Sequence, residues 1–255
     1  MKQTILLLTC LTLVIFSCKN ETKEVALNSE VIQEELKIHP ISHATMALEY
    51  GKTTIFVDPT GGAKAFSTHG APDIVLITDI HGDHYNIETL TSLDLSNATV
   101  IAPKAVTDKY PQDLKIGTKV ILNNGDSFDI EGMKIEAVPM YNLREEALKF
   151  HTKGRGNGYV VTINGERIYI SGDTEDIPEM RALKNIDKAF VCMNLPYTMT
   201  VESAADAVLE FKPKEILPYH YRGTGGLSDI QKFKTLVNSG NPDIKVTQLN
   251  WYPKK

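Results

Sequence analysis

Ile74-Val75-Leu76-Ile77 opens directly into Thr78-Asp79-Ile80-His81-Gly82-Asp83-His84-Tyr85-Asn86, which places four metal-ligand side chains within six residues. A short apolar run bounded by polar residues reads as a buried strand. Beyond it, alternate residues of an extended segment project to one side, so Asp79 and His81 are placed to meet one ion. A turn at Gly82 re-aims Asp83 and His84 toward another. Imidazole with carboxylate is the donor set of zinc, manganese or iron in a hydrolytic centre. The bland reading of the same residues is a polar loop that caps a helix at Asn86 and leaves its histidines exposed.

Outward from this stretch the arrangement recurs. Arg167 to Ile170 runs into Ser171-Gly172-Asp173-Thr174, Glu215 to Pro218 into Tyr219-His220-Tyr221, and Phe56-Val57 into Asp58-Pro59. Each puts a ligand-type residue just past a strand, the edge at which sites gather in α/β sheets. Strands are expected as well at Ile38 to Tyr50, Thr53 to Val57, Thr99 to Ala102, Lys119 to Leu122, Met133 to Val138, Gly158 to Ile163, Ala189 to Met193 and Lys245 to Leu249. Gly51-Lys52 and Asn164-Gly165 are hairpin turns between such runs. Helices are expected at Asn86 to Leu93, Pro178 to Leu183, Val201 to Phe211 and Ser228 to Asn238. Strands flanked by helices make a layered α/β sandwich.

Composition narrows the function classes. A chain of 255 residues, 42% hydrophobic and 23% charged, is globular in character. Its three cysteines, Cys10, Cys18 and Cys192, are too few for a disulfide scaffold or a Cys-rich zinc finger. A formal charge of -5 provides no basic field for a nucleic-acid backbone, so DNA and RNA are not expected partners. Residues 1–17 read as a secretory signal, with the apolar stretch Ile5 to Phe16 too short to span a bilayer comfortably. Ile15-Phe16-Ser17-Cys18 resembles the lipobox of bacterial lipoproteins, which implies lipidation at Cys18, a polar tether over 18–35, and a domain over 36–255 anchored to a membrane of the bacterial cell envelope, outside the cytoplasm. A plain cleaved signal or an uncleaved anchor are the alternatives.

Taken in order, Ser42-His43-Ala44-Thr45, Phe56 to Pro59, the Asp79 to His84 segment, Ser171 to Thr174 and Pro218-Tyr219-His220 resemble the metallo-β-lactamase superfamily of metal-dependent hydrolases. Within it they resemble the branch of the ascorbate-6-phosphate lactonase and the phospholipase-D-type enzymes acting on N-acylethanolamine phospholipids. The resemblance implies a four-layer αββα sandwich, two divalent metal ions (zinc, manganese or iron) and a small-molecule substrate. Its leading motif, His-x-His-x-Asp-His, has Asp79 where the first His belongs. His81, Asp83 and His84 match the remaining positions, Asp173 the bridging carboxylate and His220 the last ligand. No His stands near Val138 to Asn142 to match the family's middle ligand, so His151 is expected to replace it, with Asn142 or a water as the alternative.

The implied set is Asp79, His81 and His151 for one ion, Asp83, His84 and His220 for the other, and Asp173 between them. The carboxylate of Asp79 adds a negative charge, which favours harder metals such as manganese or iron. Hydroxide generated from bound water is the implied nucleophile, with Asp83, His81 and Asp173 carrying the chemistry. His43, Lys153, Arg155 and Arg222 are expected at the substrate, while His39 and His69 read as ordinary surface or strand-end residues. The glycines of Gly154-Arg155-Gly156-Asn157-Gly158 let the backbone pass close to the metal site. Lactones or other esters come first as substrates and phosphodiesters second; a non-catalytic binding lipoprotein on the same fold is the competing reading.

Overall fold

In a computed structural model, which describes residues 34–253, the chain forms two mixed sheets packed face to face between helices. The first contains β1 (Lys37–Ser42), β2 (Thr45–Tyr50), β3 (Thr53–Val57), β4 (Ile74–Leu76), β5 (Thr99–Ala102) and β6 (Thr118–Ile121), in that spatial order. Helices α1 (Ile87–Ser92) and α2 (Lys104–Thr107) belong to this half. The second sheet contains β7 (Ser127–Ile130), β8 (Met133–Met140), β9 (Gly156–Ile163) and β10 (Glu166–Ile170); after α3 (Pro178–Arg181) come β11 (Lys188–Val191), α4 (Val201–Phe211) and β12 (Glu215–Pro218). A two-stranded ribbon, β13 (Arg222–Gly223) and β14 (Gly226–Leu227), precedes α5 (Ile230–Gly240) and β15 (Lys245–Val246). Spatial order in this sheet is β15-β12-β11-β10-β9-β8-β7.

The period-2 alternation of the strands decides the layers. Met46, Leu48, Ile55, Val57, Ile74 and Leu76 point inward and pack with Ile135, Tyr159, Val161, Ile168 and Ile170 of the second sheet. Their neighbours Ala47, Phe56 and Val75 point outward, onto Leu90 of α1 and Val106 of α2. On the far side Tyr169 meets Phe211 of α4 edge to face, ring centroids 6.1 Å apart. The result is the four-layer αββα sandwich. Buried Tyr159 ties the two sheets together, its hydroxyl donating to the Ile77 carbonyl at 2.8 Å.

Strand direction brings the site residues to one rim. β3, β4 and β5 run parallel, as do β10, β11 and β12, and β9 runs antiparallel to β10. The ends of β3, β4, β10 and β12 and the start of β9 are therefore the edges from which the site loops leave. The stretch from Ile38 to Tyr50 is not one strand but two: the chain reverses at His43–Ala44, with His43 at φ 58°, and β1 pairs back on β2. β7 is a further strand, paired with β8 through a turn at Glu131-Gly132.

Candidate metal centre

The loop after β4 is fixed at both ends, by β4 itself and by Asn86, whose side chain accepts the Thr89 N–H at 2.8 Å as the N-cap of α1. The capping role and the ligand role therefore coexist. Between these ends His84 is fully buried, with Nδ1 2.8 Å from Asp58 Oδ2. The same carboxylate accepts the Thr78 N–H at 2.7 Å and the Thr78 hydroxyl at 2.6 Å. Asp58, read as ligand-type from its place after β3, thus stands behind His84 and turns Nε2 toward the rim. His151 is oriented in the same manner: Nδ1 lies 3.1 Å from the Tyr197 carbonyl, which can only accept, so Nε2 is left bare.

These free nitrogens converge on Asp173. Its Oδ2 lies 3.5 Å from His84 Nε2 and 3.3 Å from His151 Nε2, and its Oδ1 lies 3.4 Å from His220 Nε2. His220 Nε2 is also 3.3 Å from Asp83 Oδ2, which His43 Nε2 approaches at 3.3 Å from the other side. His81 Nδ1 meets Asp79 Oδ2 at 2.8 Å, and His151 Nε2 lies 4.0 Å from the same oxygen. Three triplets have ligand atoms within 4.8 Å of one another: Asp79–His81–His151, His84–Asp173–His220 and His43–Asp83–His220. All seven expected ligands meet at the rim, Asp173 lying between the groups, and His43 joins them.

The donor set fits divalent cations. His84 Nε2, His151 Nε2, His220 Nε2 and Asp173 Oδ1 are buried and have no hydrogen-bond partner, an arrangement that costs about 1–3 kcal/mol per group unless something else satisfies it. Electrostatics follow from the crowding. Burial works against the Asp173 carboxylate, but His220, His84 and His151 hold its pKa well below the usual range. Burial likewise opposes the Asp83 carboxylate, and the neighbouring His220 and His43 imidazoles prevail, holding its pKa below the usual range. At His84 burial would lower the pKa, and the Asp58 and Asp173 carboxylates raise it well above the ordinary value. Burial lowers that of His43, against the pull of Asp83.

Above these residues lies a cavity of about 290 Å³, with His81, Asp83, His151 and Asp173 among its lining and Phe150, Tyr197 and Arg222 as further walls. Arg222 stacks on the Tyr252 ring at 4.1 Å, and the Tyr252 hydroxyl holds His43 Nδ1 at 2.6 Å. The two other cations expected at the substrate are engaged elsewhere. Arg155 grips Asp79, Nε to Oδ1 at 3.0 Å and Nη2 to Oδ2 at 2.8 Å. Lys153 pairs with Glu179 at 2.6 Å and lies over the Tyr141 ring. Neither lines the cavity. Asn142, the alternative to His151, gives its amide to the Ala147 and Tyr197 carbonyls and so braces the loop instead.

Sequence reading missed two supports. Buried Glu175 accepts the Leu143 and Arg144 N–H groups, each at 2.9 Å, and Arg144 Nε at 2.7 Å, folding the loop that carries His151. Its position two residues after Asp173 is the one local signal. Tyr252 reaches His43 across 209 residues of chain, and no local signal marks it.

Comparison with known proteins agrees with this architecture. Residues 37–220 match the family model described as the beta-lactamase superfamily domain. A UPF0173 metal-dependent hydrolase of Pyrococcus abyssi is 28% identical over 212 residues, 79% of this chain and 92% of the relative. Its counterpart in Thermoplasma acidophilum is 29% identical over 228 residues, 85% of this chain and 97% of the relative. A crystal structure from Parabacteroides distasonis, assigned as a metal-dependent hydrolase, superposes with a TM-score of 0.76 at 40% identity, covering 86% of this chain and 94% of that one. With the family model spanning most of the chain, and with His81, Asp83, His84, Asp173 and His220 of the matching motifs meeting at the rim beside the departures Asp79 and His151, the chain belongs to the metallo-β-lactamase superfamily of metal-dependent hydrolases.

Proposed function

We propose that the protein is a hydrolase that holds two divalent ions, zinc, manganese or iron, at this rim and cleaves a lactone or other ester. The observation that carries the reading is the convergence of three bare, buried imidazole nitrogens on the Asp173 carboxylate. Ions bound there supply Lewis acidity and an activated water. Asp79, His81 and His151 hold one side of the centre, and His84, His220 and Asp83 the other, with Asp173 common to both. Asp83 is the part-exposed carboxylate of the set, and His43 and His220 keep it anionic, so it is placed to accept a hydrogen bond from a water and orient it. His43 and Arg222, both on the cavity wall, are placed to meet the substrate's polar group.

No side-chain nucleophile competes. Cys192 is buried, its Sγ lies 3.4 Å from the Thr174 carbonyl, and burial pushes its pKa up to about 12. Arg222 is the one Lys or Arg among the cavity's lining residues, which favours an ester carbonyl over a phosphodiester anion. Five of the six exposed large hydrophobic residues among those described stand on the segments that wall the cavity, Leu143 and Leu148 before Phe150, Leu195 and Tyr197 after Asn194, and Leu227 on β14 after Arg222. Asn142, Arg144 and Thr224 bind these loops together through the Tyr197, Pro196, Thr198 and Leu195 carbonyls. Such a rim suits a substrate with an apolar portion, and it accords with action at an extracytoplasmic membrane surface through a lipid on Cys18. That residue and the rest of 1–33 lie outside the described residues.

A panel of chromogenic lactones, esters and phosphodiesters, assayed with manganese or zinc, tests the reading. Turnover should be greatest on the esters, and His81→Ala or Asp173→Ala should abolish it while leaving the circular dichroism of a folded protein. Absence of metal-dependent turnover on every class would replace the hydrolase with a binding protein on the same fold.

A further inference from the structure

A second group of ligand side chains stands away from the rim, on the helix-facing side of the first sheet. In the β1–β2 register His39 lies opposite Ala47 and Lys37 opposite Glu49, so His39 and Glu49 are diagonal neighbours on one face. His69 comes to the same spot from the segment after the short 3-10 helix Ala63–Phe66, its ring 4.7 Å from that of His39 between centroids. Glu49 lies between the two imidazoles. Its Oε1 is 2.8 Å from His69 Nδ1 and its Oε2 is 3.3 Å from His39 Nε2. The three ligand atoms fall within 4.8 Å of one another, as in the triplets of the rim.

One detail separates this group from an ordinary hydrogen-bonded cluster. His39 Nε2 is buried and makes no hydrogen bond, the same state as His84, His151 and His220 Nε2 at the rim. The Glu49 carboxyl is drawn below its usual range by the bond from His69, so it is anionic at neutral pH. His39 and His43 are four positions apart in the chain, roughly 13 Å at the rise of an extended strand, and none of His39, Glu49 and His69 lines the rim cavity.

We propose that His39, Glu49 and His69 form a separate site for a divalent transition-metal ion of the zinc class. Two imidazoles and one carboxylate are a borderline-soft set that suits zinc and excludes calcium and magnesium, which take oxygen. The side chains of His39 and Glu49 are 37% and 27% exposed, leaving water a path to a fourth position. The ion would clamp the edge hairpin β1–β2 to the segment carrying His69, a structural role that does not depend on the rim chemistry.

The test is metal counting on the full chain, dialysed against micromolar zinc and measured by plasma mass spectrometry. His39→Ala, Glu49→Gln and His69→Ala should each bind one equivalent less than the parent, and Asp173→Asn should retain that equivalent. Anomalous diffraction at the zinc edge from parent crystals should show a peak among the three side chains, a readout that needs no variant to fold. Full parental stoichiometry in Glu49→Gln and His39→Ala, or a zinc-soaked crystal with density at the rim and none here, would overturn the proposal.

Discussion

Asp79 stands with both carboxylate oxygens in the fork of Arg155 and takes His81 Nδ1 on Oδ2 as well. Read alone, the aspartate adds a negative charge to the centre and favours harder metals. Arg155 returns a positive charge to the same spot, so the pair is close in charge to the neutral imidazole it replaces. The preference for manganese or iron over zinc should therefore be weak in the parent and strong once the guanidinium is gone. Arg155→Gln is expected to raise the manganese-to-zinc ratio of protein purified without chelators and to lower stability by about 1.5–3 kcal/mol, the cost of losing hydrogen bonds to a buried carboxylate that keeps His81 as its partner. Equal metal content in the two proteins would end this account. Behind His84, Asp58→Asn should replace one of the two acceptor oxygens that hold Thr78 and His84 and weaken zinc binding roughly 10–100-fold in competition with a chromophoric chelator.

At the scale of elements, β9 starts where the site loop passes closest. The Asn157 N–H donates to the Thr78 carbonyl at 2.9 Å, and a Cβ on Gly156 would come 2.8 Å from that same oxygen and 2.4 Å from Met140 Cε. Methionine can move, but a backbone carbonyl held by β4 cannot. Gly156→Ala is expected to cost about 1–3 kcal/mol through overpacking, seen as a lower melting temperature, and to loosen metal binding with it. Gly156 thus allows the close passage its place in the sequence suggested, and Gly158 does so against the Ile170 and Ser171 carbonyls, whereas a Cβ on Gly154 would meet nothing and that residue serves a turn at φ 86°. At the other end of the sheet, Asp187 joins β10 and β11 to the segment before β12, accepting the Arg167 N–H at 2.8 Å and pairing with Lys214 at 2.6 Å. Burial would raise its pKa, but these bonds hold it below the ordinary value. The stability it adds is complete above a pH of about 4, the unfolded carboxyl pKa, and is lost as pH falls toward the folded one. Asp187→Asn should accordingly lose less stability than the parent between neutral pH and pH of about 3 in urea titrations.

For the molecule as a whole, the two sheets bring loops from distant segments to one edge, and exposed apolar residues stand on the same segments as the cavity's walls. If they receive the apolar part of an ester, Leu143→Ser with Leu148→Ser should lower kcat/KM for a long-chain ester roughly tenfold more than for an acetate, the difference expected from losing about 1.5 kcal/mol of side-chain burial. An equal loss on both chain lengths would remove the rim from substrate recognition. Among the described residues no helix is long and apolar enough to cross a membrane. The proposed lipid on Cys18 is tested by cell fractionation: if it anchors the protein, Cys18→Ser should move it from the membrane fraction to the soluble one.

Much of the fold was legible because its signals are local. β3, β4 and β5 are apolar runs with polar ends, and α4 shows its stripe from Val201 to Phe211. The ligand-type residues Asp79 to His84, Asp173 and His220 were legible as residue types past strand ends, whereas His151 was reached only through the family resemblance. The hairpin turn at His43 was not, because a histidine at positive φ carries no turn signal of the kind glycine provides. Nor was the pairing of Arg155 with Asp79, the support of His43 by Tyr252, or the meeting of His39, Glu49 and His69, since each joins residues that no periodicity connects.

From its order of residues alone the chain determined where strands and helices form and which side chains carry ligand atoms, because backbone preference and alternation act between near neighbours. Which of those atoms face one another, and which charge is neutralised before any ion arrives, was decided only when the two sheets stacked. Distances between segments far apart in sequence are set by packing, not by local conformation.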